Sequence, residues 1–153
     1  MYSRYLQLNK ETESSIFLFG ARQTGKSTIL RKEFPKSVFI DLLDSELRMR
    51  FKRRPSLLYE MLKDKESNTI VVIDEIPEVP ELLNEVHRLI SEKDIIFVLC
   101  GSSARKLKRK GYNTLGGRAY PCYFYPLTSN EITDFDLDRA LTYGLLPTHY
   151  LAK

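Results

Sequence analysis

Cysteine is nearly missing from this 153-residue chain: Cys100 and Cys122 are the only two, with no Cys-x-x-Cys pair or Cys/His cluster around them. That argues against a disulfide-stapled scaffold or a thiolate metal site, and the expectation is two buried free thiols in a reducing cytoplasm. Histidine is as scarce, and neither His87 nor His149 has a sequence neighbour that suggests catalysis. No apolar run comes near the roughly 18 residues of a membrane span, so a membrane partner is not expected. The opening residues MYSRYLQLNKE lack the apolar core of a secretory signal, which again points to the cytoplasm. Internal repeats and low-complexity tracts are also lacking. What remains is 42% apolar and 29% charged residues, enough apolar material to argue against disorder and to give one domain a proper core.

The net charge of +4 is less telling than its distribution. Arg48, Arg50, Lys52, Arg53 and Arg54 form one basic run, and Arg105, Lys106, Lys108, Arg109 and Lys110 form another. Runs 48–54 and 105–110 either neutralise nucleic-acid phosphates or are solvated faces. The first alternates with Met49 and Phe51, and no groove-reading or aromatic-interleaved motif accompanies either.

Five β-type runs punctuate the chain: Ser15–Phe19, Ser37–Leu43, Thr69–Ile76, Asp94–Cys100 and Ala119–Tyr125. The third and fourth are continuous Ile, Val, Leu and Phe, as in strands covered on both faces. Between them, Ser27–Phe34, 48–54, Ser56–Lys63 and Leu82–Glu92 read as helices; the first stops before Pro35 and the last starts near Pro80. Thr128-x-x-Glu131 reads as a capping box opening a C-terminal helix. Strand–helix alternation predicts an α/β fold with right-handed crossovers. The final GLLPTHYLAK completes no evident element, and the expectation is a chain cut short.

The stretch Gly20-Ala21-Arg22-Gln23-Thr24-Gly25-Lys26-Ser27 fits G-x-x-x-x-G-K-[ST], directly after one apolar run and before a helix. Both glycines are expected to let the backbone curl so that its N–H groups face phosphate oxygens. The helix N-terminus adds positive potential. Lys26 can reach β- and γ-phosphates, and the Ser27 hydroxyl can ligate Mg²⁺. Thr28, which ends the nucleotide-binding stretch, is expected to pack or cap. Forty-eight residues after Lys26, the run Ile70-Val-Val-Ile ends in Asp74 and Glu75. Carboxylates at the C-terminal end of a buried strand open into the crevice where α/β ligands bind. Asp74 is thus the candidate Mg²⁺ holder, and Glu75 the candidate base that orients or deprotonates an attacking water. A solvated strand-end turn is the plainer alternative, weakened by the matching loop.

Two further candidates are Ser102 and Arg118. The run Ile95–Cys100 ends in Gly101-Ser102-Ser103; Ser102 would lie beside the γ-phosphate if its strand sits between the first and third, with Ser103 as a helix N-cap. Leu115-Gly-Gly-Arg118 leads into the fifth run. Arg118 either stabilises transition-state charge, on its own nucleotide or a neighbouring copy's, or is a plain surface arginine.

The segments GARQTGKST, IVVIDEIPEVPELL, FVLCGSSARKL and LGGRAYPCYFYPLTSNEI together resemble the AAA+-type ATPases of archaea and bacteria that carry a C-terminal domain of unknown function. The resemblance spans about residues 14–135. It implies a P-loop NTPase three-layer sandwich, with a mainly parallel five-stranded sheet of order 5-1-4-3-2 flanked by helices. It makes Gly20–Thr28 the Walker A loop, Asp74 and Glu75 the Walker B acids and Ser102 the sensor residue, and it sets Arg118 in a Gly-Gly-Arg-Ala segment typical of the group. The implied layout is a core over 1–135 and, over 136–153, a linker or the start of a truncated C-terminal segment. Nothing after Leu127 is long enough for a helical lid or its second sensor arginine.

The leading reading is thus an ATPase that binds ATP and Mg²⁺ and moves an attached domain or partner, with a homo-oligomer among the implied assemblies. The alternative is a nucleotide-gated nucleic-acid-binding module with little turnover. A small-molecule kinase would use the same loop, but Asp74-Glu75 favours water as nucleophile. A GTPase is disfavoured because no Asn-Lys-x-Asp guanine reader follows.

Overall fold

The structure is a computed structural model that describes residue 4, residues 14–102, residue 107 and residues 115–151. Its centre is a sheet of β1 (Ser15–Phe19), β2 (Val38–Asp41), β3 (Ile70–Asp74), β4 (Ile96–Gly101) and β5 (Ala119–Tyr123). The order across the sheet is β2-β3-β4-β1-β5, the expected 5-1-4-3-2 read from the other side. Every pairing is parallel, which requires crossovers rather than hairpins. These contain α1 (Lys26–Glu33), α2 (Ser45–Arg53), α3 (Leu57–Leu62) and α4 (Leu82–Lys93). Beyond β5 come α5 (Leu137–Tyr143) and α6 (Pro147–Tyr150).

The period-2 alternation of a strand sorts the apolar side chains into two layers. Phe17, Phe19, Val71, Ile73, Phe97 and Leu99 point to one face, where they meet Leu58 and Leu62 of α3 and Leu82, Val86 and Leu89 of α4. Ile16, Leu18, Val72, Val98 and Cys100 point to the other, against Ile29 and Leu30 of α1. Burying each large aliphatic side chain contributes about 2 kcal/mol, so neither face could be left open. The same parity fixes the chemistry: Asp74, two residues after Val72, falls on the α1 face.

The strands are shorter than their apolar runs because left-handed residues stop them. Glu75 has φ 57° and ψ 47°, which ends β3 one residue before the acid pair is complete. Asp94, at φ 52° and ψ 34°, closes α4 and delays β4. At the end of β2 the Asp41 carboxylate accepts from the Leu43 amide at 2.9 Å, turning the chain.

Two expectations need correction here. The capping box exists, with Glu131 accepting from the Thr128 amide at 3.0 Å, but it opens only the 3₁₀ turn Ser129–Glu131. Ile132 then returns to extended backbone, Asp134 is left-handed at φ 57°, and the helix waits for Asp136, whose side chain caps α5. Thr28 is exposed rather than packed. Among the described residues no helix is long and apolar enough to cross a membrane.

Candidate functional site

The loop from Gly20 to Gly25 leaves the C-terminal end of β1 and runs straight into α1. Its two glycines have different causes. A Cβ on Gly20 would lie 2.2 Å from the Phe124 carbonyl oxygen, so this glycine lets the chain pass the end of β5. Gly25 sits at φ 93° and caps α1, a conformation glycine adopts without strain. Gln23 is also left-handed, at φ 64°. Left-handed residues on either side of Thr24 give the alternation that turns successive N–H groups into an anion-binding concavity. Thr24, fully buried, ties the turn with a hydroxyl bond to the Ala21 carbonyl at 2.8 Å. Ala21, Arg22 and Gln23 are exposed at the tip.

Lys26 is the unusual member, a lysine 7% exposed. Its Nζ donates to the carbonyls of Gly20 and Ala21, both at 2.7 Å. A buried ammonium needs partners to offset its desolvation, and these are neutral main-chain oxygens of the loop itself. The ammonium is thus held against the main chain of its own loop.

The next residue of α1, Ser27, faces β3, where its hydroxyl donates to Asp74 Oδ2 at 2.5 Å. Asp74 is 4% exposed. A hydroxyl and a carboxylate side by side are hard oxygen donors that suit Mg²⁺, which takes few protein ligands and completes its shell with water and phosphate oxygens. Among the described residues no group of three or more His, Cys, Asp or Glu could form a larger cage.

The left-handed turn at Glu75 carries its carboxylate sideways to β4. There Ser102 donates twice to Glu75 Oε1, from its hydroxyl at 2.6 Å and its amide at 3.3 Å. Gly101 is needed just before it, because a Cβ there would lie 2.9 Å from the Pro77 ring. Cys100 lies beside this group. Burial pushes its thiol far above the ordinary range, and the nearby Asp74 carboxylate adds to the rise. Cys100 is an inert wall residue, and both cysteines are free.

Arg118 does not join this group. It precedes β5, whose first residue Ala119 pairs with Ser15, the first residue of β1. It therefore sits at the N-terminal end of the strands, about 16 Å of strand away from its own loop at their C-terminal end. There the exposed guanidinium donates to Nε2 of His87 on α4. Of the basic run 48–54, Arg48 donates to the Leu42 carbonyl at 3.2 Å and Arg54 pairs with Glu60. Arg50, Lys52 and Arg53 are exposed, while Phe51 is buried. The run 105–110 lies outside the described residues, apart from the buried Leu107.

Two neighbours of the loop escaped the sequence reading. Arg4 Nη1 donates to the Thr24 carbonyl at 3.0 Å, and the Thr148 hydroxyl of α6 lies 3.4 Å from Gln23 Oε1. Neither residue carries a local signal, since a lone arginine and a lone threonine belong to no motif. Tyr150 anchors α6 by packing with Leu127 and Ile132.

A parallel sheet in this order, with a glycine-lysine-serine loop between β1 and α1, defines the three-layer α/β fold of P-loop NTPases. A family model described as AAA domain matches residues 12–133. The chain belongs to that family, and its fold is that of an AAA+ P-loop ATPase domain. Among solved structures it resembles the Aeropyrum pernix ORC1 protein, solved in complex with DNA, with a TM-score of 0.55 and 17% identity over 88% of this chain and 49% of that one. It also resembles C. elegans PCH-2, with a TM-score of 0.51 and 18% identity over 78% of this chain and 37% of that one. The chain thus spans at most about half the length of these relatives. No curated protein matches the sequence.

Proposed function

We propose that this chain binds ATP with Mg²⁺ and hydrolyses it, using the nucleotide state to move an attached domain or a partner. The observation that carries this reading is the 2.5 Å bond between Ser27 and Asp74, which sets the end of the glycine loop against the end of the β3 strand. In this reading the loop from Gly20 to Thr28 wraps the phosphates with its amides. Lys26 exchanges its two loop carbonyls for phosphate oxygens. Ser27 and Asp74 would hold Mg²⁺, which would supply positive charge to offset that of the phosphates. Glu75 orients and deprotonates the attacking water, with Ser102 fixing the carboxylate in place. Arg118, remote from its own loop, serves the nucleotide of a neighbouring copy, which requires a homo-oligomer. The proposal extends to a core over residues 1–135, a following segment from 136 onward as in the group with a C-terminal domain of unknown function, and work in the cytoplasm.

The test is nucleotide binding by wild type and Lys26→Ala, followed with a fluorescent ATP analogue and Mg²⁺. Wild type should bind and the variant should not, with far-UV circular dichroism unchanged. Equal binding by the two would remove the loop from the account.

A second reading, a nucleotide-gated module that grips nucleic acid with little turnover, draws support from three outward cations on α2, Arg50, Lys52 and Arg53. The likeness to an ORC1 protein solved with DNA is consistent with it. Turnover separates the two readings. Wild type that binds ATP without measurable release of phosphate favours the second.

A further inference from the structure

Arg4 contacts the glycine loop, the residues just after β5 and the 3₁₀ turn that follows. Its Nη1 donates to the Thr24 carbonyl at 3.0 Å. Its Nη2 donates to the carbonyl of Tyr125 at 2.5 Å and of Pro126 at 3.3 Å. Its Nε donates to Glu131 Oε1 at 3.1 Å, with the two side chains 12% and 5% exposed. The guanidinium carbon lies 4.1 Å from the centroid of the Phe124 ring, and the carbonyl of that same Phe124 is the group that forces glycine at position 20.

A planar guanidinium holds five N–H donors in a fixed fork and can serve these four acceptors at once, whereas an ammonium has only three donors. Bonds to a carboxylate shielded from water are stronger than neutral ones. Thr24 itself lies between the two left-handed residues of the loop, so fixing its carbonyl fixes the peptide at the centre of the concavity. Glu131 is held in turn by the Thr128 amide at 3.0 Å.

We propose that Arg4 is a positioning residue that sets the shape of the glycine loop and links it to residues 125–131. The function of this link rests on the nucleotide reading above, whereas its geometry does not. Through it, occupation of the loop and the packing of the segment after β5 stabilise each other. Reciprocity is required, since a ligand that orders the loop must protect the segment by the same free energy with which the segment favours the ligand.

The experiment uses Arg4→Lys in the full chain, because lysine keeps a positive charge near Glu131 but lacks the reach to Thr24. A second variant, Arg4→Met with Glu131→Gln, removes both charges together and so avoids leaving a buried carboxylate unpaired. Amide hydrogen exchange is read first, without nucleotide. The amides of 20–28 should exchange about 10-fold faster in either variant, with those of 71–74 in β3 unchanged. Loop exchange at the wild-type rate in a folded variant overturns the proposal, and equal acceleration in β3 overturns it too by showing general destabilisation. Affinity for a fluorescent ATP analogue is read second. It should fall about 10-fold in either variant, and analogue binding should protect 127–132 in wild type only. Wild type that binds no analogue removes the nucleotide reading while the exchange result still decides the role of Arg4.

Discussion

The hydroxyl of Ser102, at the end of β4, donates to the carboxylate of Glu75, just past the end of β3, at 2.6 Å. The two strands are neighbours in the sheet, and the bond exists because Glu75 takes a left-handed turn. In extended backbone its side chain would continue the alternation of β3 and point to the face opposite Asp74. The turn instead sends it along the rim toward β4. Two adjacent acids thus have separate partners, Asp74 with the Ser27 hydroxyl and Glu75 with Ser102.

Removing the Ser102 hydroxyl should therefore act on turnover rather than on binding. Ser102→Ala is expected to lower kcat for ATP about 10-fold or more, with KM changed by less than about 3-fold, as for residues that orient a reacting group. Glu75→Gln should abolish turnover and retain bound ATP. Steady-state phosphate release beside equilibrium binding provides both numbers. A Ser102→Ala chain with wild-type kcat would show that the bond does not position Glu75.

The loop glycines should respond differently to alanine. At Gly20 the new methyl meets a main-chain oxygen at 2.2 Å, which only a backbone shift relieves. Gly20→Ala should cost about 2 kcal/mol or more in urea unfolding. At Gly25 no atom lies within 4 Å of an added Cβ, and the penalty comes only from φ +93°, about 1 kcal/mol. The reverse ranking would mean that β5 does not approach the loop as described.

Much of this arrangement was legible in the sequence because apolar runs without alternation mark strands buried on both faces, and IVVID and IFVLC are such runs. The loop and the acid pair could be read from spacing, since their chemistry depends on neighbours along the chain. Strand ends could not, because a left-handed Glu75 or Asp94 has no sequence mark comparable to glycine. Gly20 fits the glycine-loop pattern, and its close approach to Phe124, about a hundred residues later, adds a second need for glycine that the pattern does not carry. Contacts of that kind, like that of Arg4 with Thr24, depend on the closed sheet and have no local signature.

The outward face of α2 makes a prediction about nucleic acid. If Arg50, Lys52 and Arg53 neutralise phosphates, duplex DNA affinity should fall steeply with salt. Their combined change to alanine should then flatten the log–log slope by about 3. Fluorescence anisotropy across a salt series measures this. A triple variant with the wild-type slope would leave α2 a solvated face.

Arg118 leads to a prediction about assembly. Its residue neighbour Ala119 pairs with Ser15, which fixes it at the end of the strands away from the loop, and there it meets His87. An arginine so placed can serve a nucleotide only across a contact between copies. Arg118→Ala should consequently bind ATP as well as wild type yet lose about 10-fold or more in turnover. Lys26→Ala should be inactive because its own loop is empty, while its Arg118 remains available to a neighbour. Mixing the two impaired chains should give more activity than the sum of the two alone, through contacts that join an intact loop on one copy to an intact arginine on the other. The recovered rate should rise with total protein concentration, as assembly requires. A mixture no more active than its components, together with full activity in Arg118→Ala alone, would confine Arg118 to its partner on α4.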